Sequence, residues 1–122
     1  MKILLIDDSK INLVVAGKLI KEYNPEITEC ESGQEALDKV SQAPDKYDII
    51  FMDMQMPVMD GLEATRQIRF LPDCDTIPIV AMTANVFRSD IEKCIAVGMN
   101  DHLGKPLYIE KVLETLRKYL SI

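Results

Sequence analysis

Short apolar runs that each stop at a charged or hydroxyl-bearing residue constrain this chain more than anything else in it. Residues 2–6, KILLI, stop at Asp7-Asp8; residues 48–52, DIIFM, stop at Asp53; residues 77–82, IPIVAM, stop at Thr83. The segments between them carry helix punctuation. Residues 9–23 read as a helix capped by Ser9 or Asp8. Residues 26–31, EITECE, alternate apolar and polar as a strand does. Ser32-Gly33-Gln34-Glu35 is a capping box that opens a helix reaching Ala43. Asp60 caps a helix to Phe70, and a further helix runs from Arg88 to Val97, with Gly98 ending it. Residues 101–104 form a short fifth strand and residues 108–120 the last helix. Five such alternations with mostly apolar strands define an α/β fold, a parallel sheet covered on both faces. A length of 122 residues fits a single domain over 1–122.

Ligands of an open parallel sheet bind outside the carboxyl ends of its strands. The residues that follow the strands are Asp7-Asp8, Asp53, Thr83 and Lys105. Taken singly, each has a plain reading: an aspartate after a strand is usually a cap or turn residue, an acidic neighbour suits a helix start, Thr83 is a cap, and Lys105 a solvated charge. Together, on one edge, they form a chemical set. Three crowded carboxylates repel one another unless a hard divalent cation joins them, and oxygen donors in a partly hydrated site suit Mg²⁺. One carboxylate is then a nucleophile toward phosphorus. A lysine, a hydroxyl and backbone N–H groups stabilise the charge on a transferring phosphoryl group.

Composition excludes several other classes. The net charge of −6 argues against a nucleic-acid surface. No apolar run is long enough for a membrane span, and the N-terminus MKILLIDDS is too short and too acidic for a signal peptide. A cytoplasmic domain without direct membrane contact is expected. The 3 cysteines, Cys30, Cys74 and Cys94, are odd in number and widely spaced, which fits reduced, space-filling thiols rather than disulfides or zinc.

The segments LLIDDS, IIFMDMQMPVMDGLEA, IPIVAMTAN and GMNDHLGKPL, in this order and spacing, resemble the receiver domains of two-component response regulators over essentially the whole chain. The resemblance implies a flavodoxin-like, doubly wound five-stranded sheet of order 2-1-3-4-5 with five helices. It implies that Asp53 accepts a phosphoryl group from a phosphohistidine on a histidine kinase or histidine-phosphotransfer domain. It also implies that Asp8 ligates Mg²⁺ directly (with Mn²⁺ as a substitute), Asp7 mainly through water, and the backbone carbonyl of Gln55 as a further ligand. Thr83 matches the switch hydroxyl and Lys105 the lysine that pairs with phosphoryl and carboxylate oxygens, followed by Pro106 across a bond that is typically cis. Gln55 and Asn85, two residues beyond Asp53 and Thr83, correspond to positions that tune dephosphorylation. Pro57 and Gly61 shape the loop after Asp53.

One position departs from the pattern. The family's switch aromatic, three residues before the lysine, is replaced by His102, the only histidine. A smaller, polar ring leaves open whether it switches with Thr83 or is simply a strand residue. A metal-dependent phosphohydrolase of the haloacid-dehalogenase type also uses a strand-end aspartate, but needs a second acid where this chain has Gln55. A degenerate receiver serving only as an interaction module conflicts with the complete set of acidic, hydroxyl and lysine residues.

The segments DDSKINLVVAGKLI, MDMQMPVMDG, MTANVF and GMNDHLGKP are most similar to receivers of hybrid sensor histidine kinases. With no output segment after Ile122, the expectation is a cytoplasmic domain of a larger hybrid kinase that can itself be membrane-attached, with a free-standing single-domain regulator as the alternative. At about 100° per residue, Ala16, Leu19, Ile20 and Tyr23 share the face of the first helix that should meet the sheet, with Leu13 at its margin. Ile11, Val14 and Val15 fall outside it, beside Lys18 and Glu22, and are candidates for partner docking.

Overall fold

The computed structural model describes residues 1–84 and 87–120. Five strands, β1 (Lys2–Ile6), β2 (Glu26–Cys30), β3 (Ile49–Asp53), β4 (Ile79–Thr83) and β5 (Asp101–Gly104), alternate with helices α1 (Lys10–Leu19), α2 (Gly33–Gln42), α3 (Gly61–Phe70), α4 (Arg88–Ala96) and α5 (Ile109–Leu120). All strand pairs are parallel and the order is β2-β1-β3-β4-β5. The topology is therefore the one the sequence leads one to expect.

Strand alternation sorts the core into two layers. Leu4, Ile6, Ile50, Met52, Ile79 and Ala81 pack with Ala36, Leu37 and Val40 of α2, Ala64 and Ile68 of α3, and Cys94 of α4. The intervening residues, Ile3, Leu5, Ile49, Phe51, Val80 and Met82, pack with Leu13 and Ala16 of α1, Ile20, and Val112 and Leu116 of α5. Because β3 and β4 are covered on both sides, every one of their residues is buried. Asp53 and Thr83 are the last residues of those strands, not the first residues after them. The predicted start of β4 at Ile77 moves to Ile79 because Pro78 has no N–H for the ladder, although its carbonyl accepts from Ile50 N at 2.9 Å.

The helix caps follow from side-chain oxygens. Ser9, not Asp8, caps α1, accepting from Asn12 N at 3.4 Å. Ser32 accepts from Glu35 N at 3.1 Å and Asp60 from Glu63 N at 2.9 Å. The Glu35 carboxylate accepts from Glu31 N at 3.2 Å, one residue earlier than a standard capping box requires. Gly98 ends α4 with φ +104°, a conformation that favours glycine.

The first helix is shorter than the span of 9–23 read from the sequence. It ends at Leu19, and a 3₁₀ turn, Lys21–Tyr23, follows. The hydrogen bonds tighten to Tyr23 N donating to Ile20 O and Asn24 N to Lys21 O, ahead of Pro25. The tighter turn makes Ile20 the last side chain on the sheet and leaves Tyr23 exposed, contrary to the helical projection. Leu13, placed at the margin of that face, is fully inside it.

Candidate functional site

The central strands deliver their terminal polar residues to one edge. Asp7 follows β1, Asp53 ends β3, Thr83 ends β4, and Lys105 follows β5. Adjacent-strand hydrogen bonds hold this edge in register. Met54 N donates to Met82 O at 3.0 Å, and Lys105 N to Thr83 O at 2.7 Å. The Lys105–Pro106 peptide is cis. Gly61 lies so close to the end of β3 that a Cβ there would collide with the carbonyl oxygen of Asp53. The loop from Met54 to Asp60 can therefore fold tightly against the strand only with glycine at its end.

Asp7 and Asp53 are both 2% exposed. The Lys105 ammonium lies between them, donating to Asp53 Oδ1 at 2.9 Å and Asp7 Oδ2 at 3.0 Å. Gln55 N donates to Asp53 Oδ1 at 3.2 Å. Ser9 N donates to Asp7 Oδ1 at 3.0 Å. Asp8 is exposed. Oxygens of Asp7, Asp8 and Asp53 all lie within 4.8 Å of one another.

Burial pushes the Asp53 carboxyl above its usual range. Asp7's charge pushes the same way, while Lys105 and the Gln55 N–H pull back and do not prevail. For Lys105, burial favours the neutral amine, but the hydrogen bonds and charges of Asp53 and Asp7 outweigh it and raise the pKa. Three carboxylates facing one paired ammonium leave an excess of negative charge among hard oxygen donors. That composition fits a divalent magnesium ion.

The remaining predicted residues distribute as follows. Thr83 is buried at the end of β4. The Gln55 side chain is exposed beside Asp53. His102 is half-buried on β5 in register with Ala81, two residues before Thr83 on the neighbouring strand. Asn85 lies outside the described residues. Ile11, Val14 and Val15 are 76%, 51% and 47% exposed, as the helical projection requires. Asn12 also belongs to this neighbourhood, with its amide Nδ2 3.3 Å from Asp7 Oδ2. A projection of apolar side chains does not reveal it; the signal in the sequence is a lone amide one turn after the acidic pair. The three cysteines are free and buried, with the Cys30 thiol pushed up to about 12, first by burial.

Comparison with known proteins agrees with this fold. The model of the response regulator receiver domain matches residues 3–117. Hybrid signal transduction histidine kinase L of Dictyostelium discoideum is 39% identical over 122 residues, covering 97% of this chain and 7% of the kinase. The receiver domain of sensor histidine kinase PA1611 from Pseudomonas aeruginosa, with a magnesium ion coordinated in its active site cleft, superposes with a TM-score of 0.89 at 33% identity, covering 99% of this chain and 98% of that one. The receiver domain of the response regulator Ssk1, co-crystallised with the histidine phosphotransfer protein Ypd1 of Saccharomyces cerevisiae, superposes with a TM-score of 0.87 at 27% identity over 98% of this chain and 88% of that one.

A sheet of this order with an acidic, lysine-bridged carboxyl edge defines a phosphorelay signalling domain. The chain belongs to the response regulator receiver domain family. It spans only a small fraction of the hybrid kinase it matches. No helix among the described residues is long and apolar enough to cross a membrane.

Proposed function

We propose that Asp53 is the phosphoryl acceptor, within a single receiver domain covering residues 1–122, and that the donor is a phosphohistidine of a histidine kinase or histidine-phosphotransfer domain. The observation that carries this reading is the buried Asp53 carboxylate, bridged to Asp7 by Lys105 at the end of a fully buried strand. An Asp53 oxygen attacks phosphorus, a P–O bond forms, the P–N bond to the imidazole breaks, and the imidazole leaves with the bond's electron pair. Lys105 faces the charge that builds on the phosphoryl oxygens, and the Thr83 hydroxyl binds one of them. The rigid strand end supplies orientation, which removes part of the entropic barrier. Later attack by water on phosphorus releases phosphate and restores the carboxylate.

Asp8 and Asp53 would hold Mg²⁺ directly, with the Gln55 carbonyl as a third protein ligand and Asp7 acting through water; Mn²⁺ would fit the same donors. The bound cation supplies charge neutralisation around the phosphoryl oxygens. Asp8→Ala should weaken Mg²⁺ binding more than Asp7→Ala, because it removes a ligand as well as a charge. Fluorescence or calorimetric titration checks this, and wild-type affinity in Asp8→Ala would contradict the ligand assignment.

The domain is an acceptor that turns over its own acyl phosphate and has no separate substrate. With acetyl phosphate and Mg²⁺ it should take up about one equivalent of phosphoryl group and then lose it, while releasing no phosphate from small phosphate monoesters. Steady monoester turnover would favour the phosphohydrolase reading. Gln55→Ala and Asn85→Ala should each change the decay rate by about two- to tenfold, since side chains there orient or block the in-line water. Unchanged decay in both singles and the double variant would remove these two residues from that role.

His102 stands where the family has its switch aromatic, with movement coupled to Thr83 as one role and a plain strand residue as the alternative. Ile11, Val14 and Val15 form the partner-docking face. The setting is cytoplasmic, as part of a hybrid kinase that can itself be membrane-attached, with a free-standing regulator as the alternative. Net charge −6 gives this domain no basis for nucleic-acid binding.

A further inference from the structure

Asn12 takes no part in the chemistry above, yet its side chain reaches into the acidic set. With Ser9 as the cap, Asn12 is the third residue of α1. Its amide Nδ2 lies 3.3 Å from Asp7 Oδ2 and 3.5 Å from Asp7 Oδ1. Ser9 N donates to Oδ1 at 3.0 Å and Lys105 Nζ to Oδ2 at 3.0 Å, so three donors surround one buried carboxylate. The neighbouring Asp8 is exposed, and its carboxylate has no hydrogen bond or ion pair among the described residues.

The two members of the acidic pair are the same chemical group and differ in burial and in what engages them. A carboxylate held by three donors cannot turn toward a cation without giving one up, whereas Asp8 has nothing to surrender. Helix formation does not explain the amide. Alanine has the higher helix propensity, and an acidic residue would interact better with the N-terminal dipole. Asn12 supplies what neither alternative can, a neutral N–H donor pointed at Asp7.

We propose that Asn12 is a positioning residue for the metal site. Its amide holds the Asp7 carboxylate against Lys105, in the place from which it meets the cation through water, and leaves direct ligation to Asp8 and Asp53. This rests on the reading of the acidic set as a Mg²⁺ site. Partners that orient the carboxylates of a metal site typically change metal affinity by about ten- to a hundredfold when removed.

The test is a double-mutant cycle on Mg²⁺ dissociation constants, measured for wild type, Asn12→Ala, Asp7→Ala and the double variant. Asn12→Ala should weaken binding by about tenfold in the wild-type background and by less than about twofold in the Asp7→Ala background. Asn12→Ser, whose hydroxyl is too short to reach Asp7, should behave like Asn12→Ala. The metal-free Asn12→Ala protein should still unfold cooperatively, with at most the small downward shift that loss of one donor to Asp7 brings, because the position is otherwise exposed and alanine suits a helix. Wild-type affinity in Asn12→Ala, or an equal loss in both backgrounds, would overturn the assignment while leaving the metal site standing. Absence of saturable Mg²⁺ binding by wild type would overturn the metal site, and the role of Asn12 with it.

Discussion

Lys105→Met should lower metal-free stability by about 2–3 kcal/mol near neutral pH, somewhat below the cost of breaking a fully buried ion pair because the ammonium keeps some solvent contact. The lysine side chain is 22% exposed, against 2% for Asp7 and 3% for Asp53. Methionine fills a similar volume, so the loss reports charge rather than a cavity. Two buried carboxylates would be left facing each other without their cation.

The pH dependence has a definite sign. Asp53 has a raised native pKa. Its contribution is therefore most favourable below its unfolded value, about pH 4, and is lost as pH rises through the elevated native value. Removing Lys105 sharpens that dependence, so the deficit of Lys105→Met should shrink on acidification. The raised pKa of Lys105 means that its own contribution in wild type is complete below its unfolded value and fades only in strong alkali. Labelling by acetyl phosphate should also slow by about a hundredfold, the usual scale for removing one group that stabilises the transferring charge. Urea unfolding at two pH values checks the stability claim. Equal stability of the two proteins near neutral pH would mean that the ion pair contributes nothing net.

Much of this was legible in the chain, for specific physical reasons. Buried parallel strands must be apolar throughout, so β1, β3 and β4 stand out as runs, and the first polar residue after each run marks the sheet edge where ligands bind. Asp7, Asp53 and Thr83 stand out this way, whereas Lys105 follows a short fifth strand that is not an apolar run. Local backbone conformation was less accessible. The end of α1 depends on a tightening of hydrogen bonds at Ile20 that helical periodicity does not encode, which is why Tyr23 was assigned to the wrong face. Pro78 shifted the start of β4 because a missing N–H matters only when the neighbouring strand is known. The contact between Asn12 and Asp7 depends on how α1 sits over the end of β1.

Ile11→Asp and Val14→Asp should slow phosphotransfer from a histidine-phosphotransfer partner by about a hundredfold, while labelling by a small phosphodonor stays near wild type. The two side chains are 76% and 51% exposed on α1, which starts three residues after Asp7. An aspartate there costs the fold little, because the positions face solvent. In a docked complex it would bury an unpaired charge against an apolar helix face, and a loss of about 3 kcal/mol per desolvated charge corresponds to this change in rate. A helical bundle laying its apolar face on α1 would bring its phosphohistidine to the edge that holds Asp53. Stopped-flow or gel-based transfer assays with both donors separate the outcomes. Equal impairment with both donors would mean that the fold or site was damaged, and normal transfer from the protein partner would place docking on another face.

The most direct measurement is intact mass after incubation with acetyl phosphate or phosphoramidate and Mg²⁺. Wild type should gain the mass of one phosphoryl group, and Asp53→Asn should gain none under the same conditions. Equal modification of the two proteins would contradict the assignment of Asp53 as the acceptor and, with it, the account of this site.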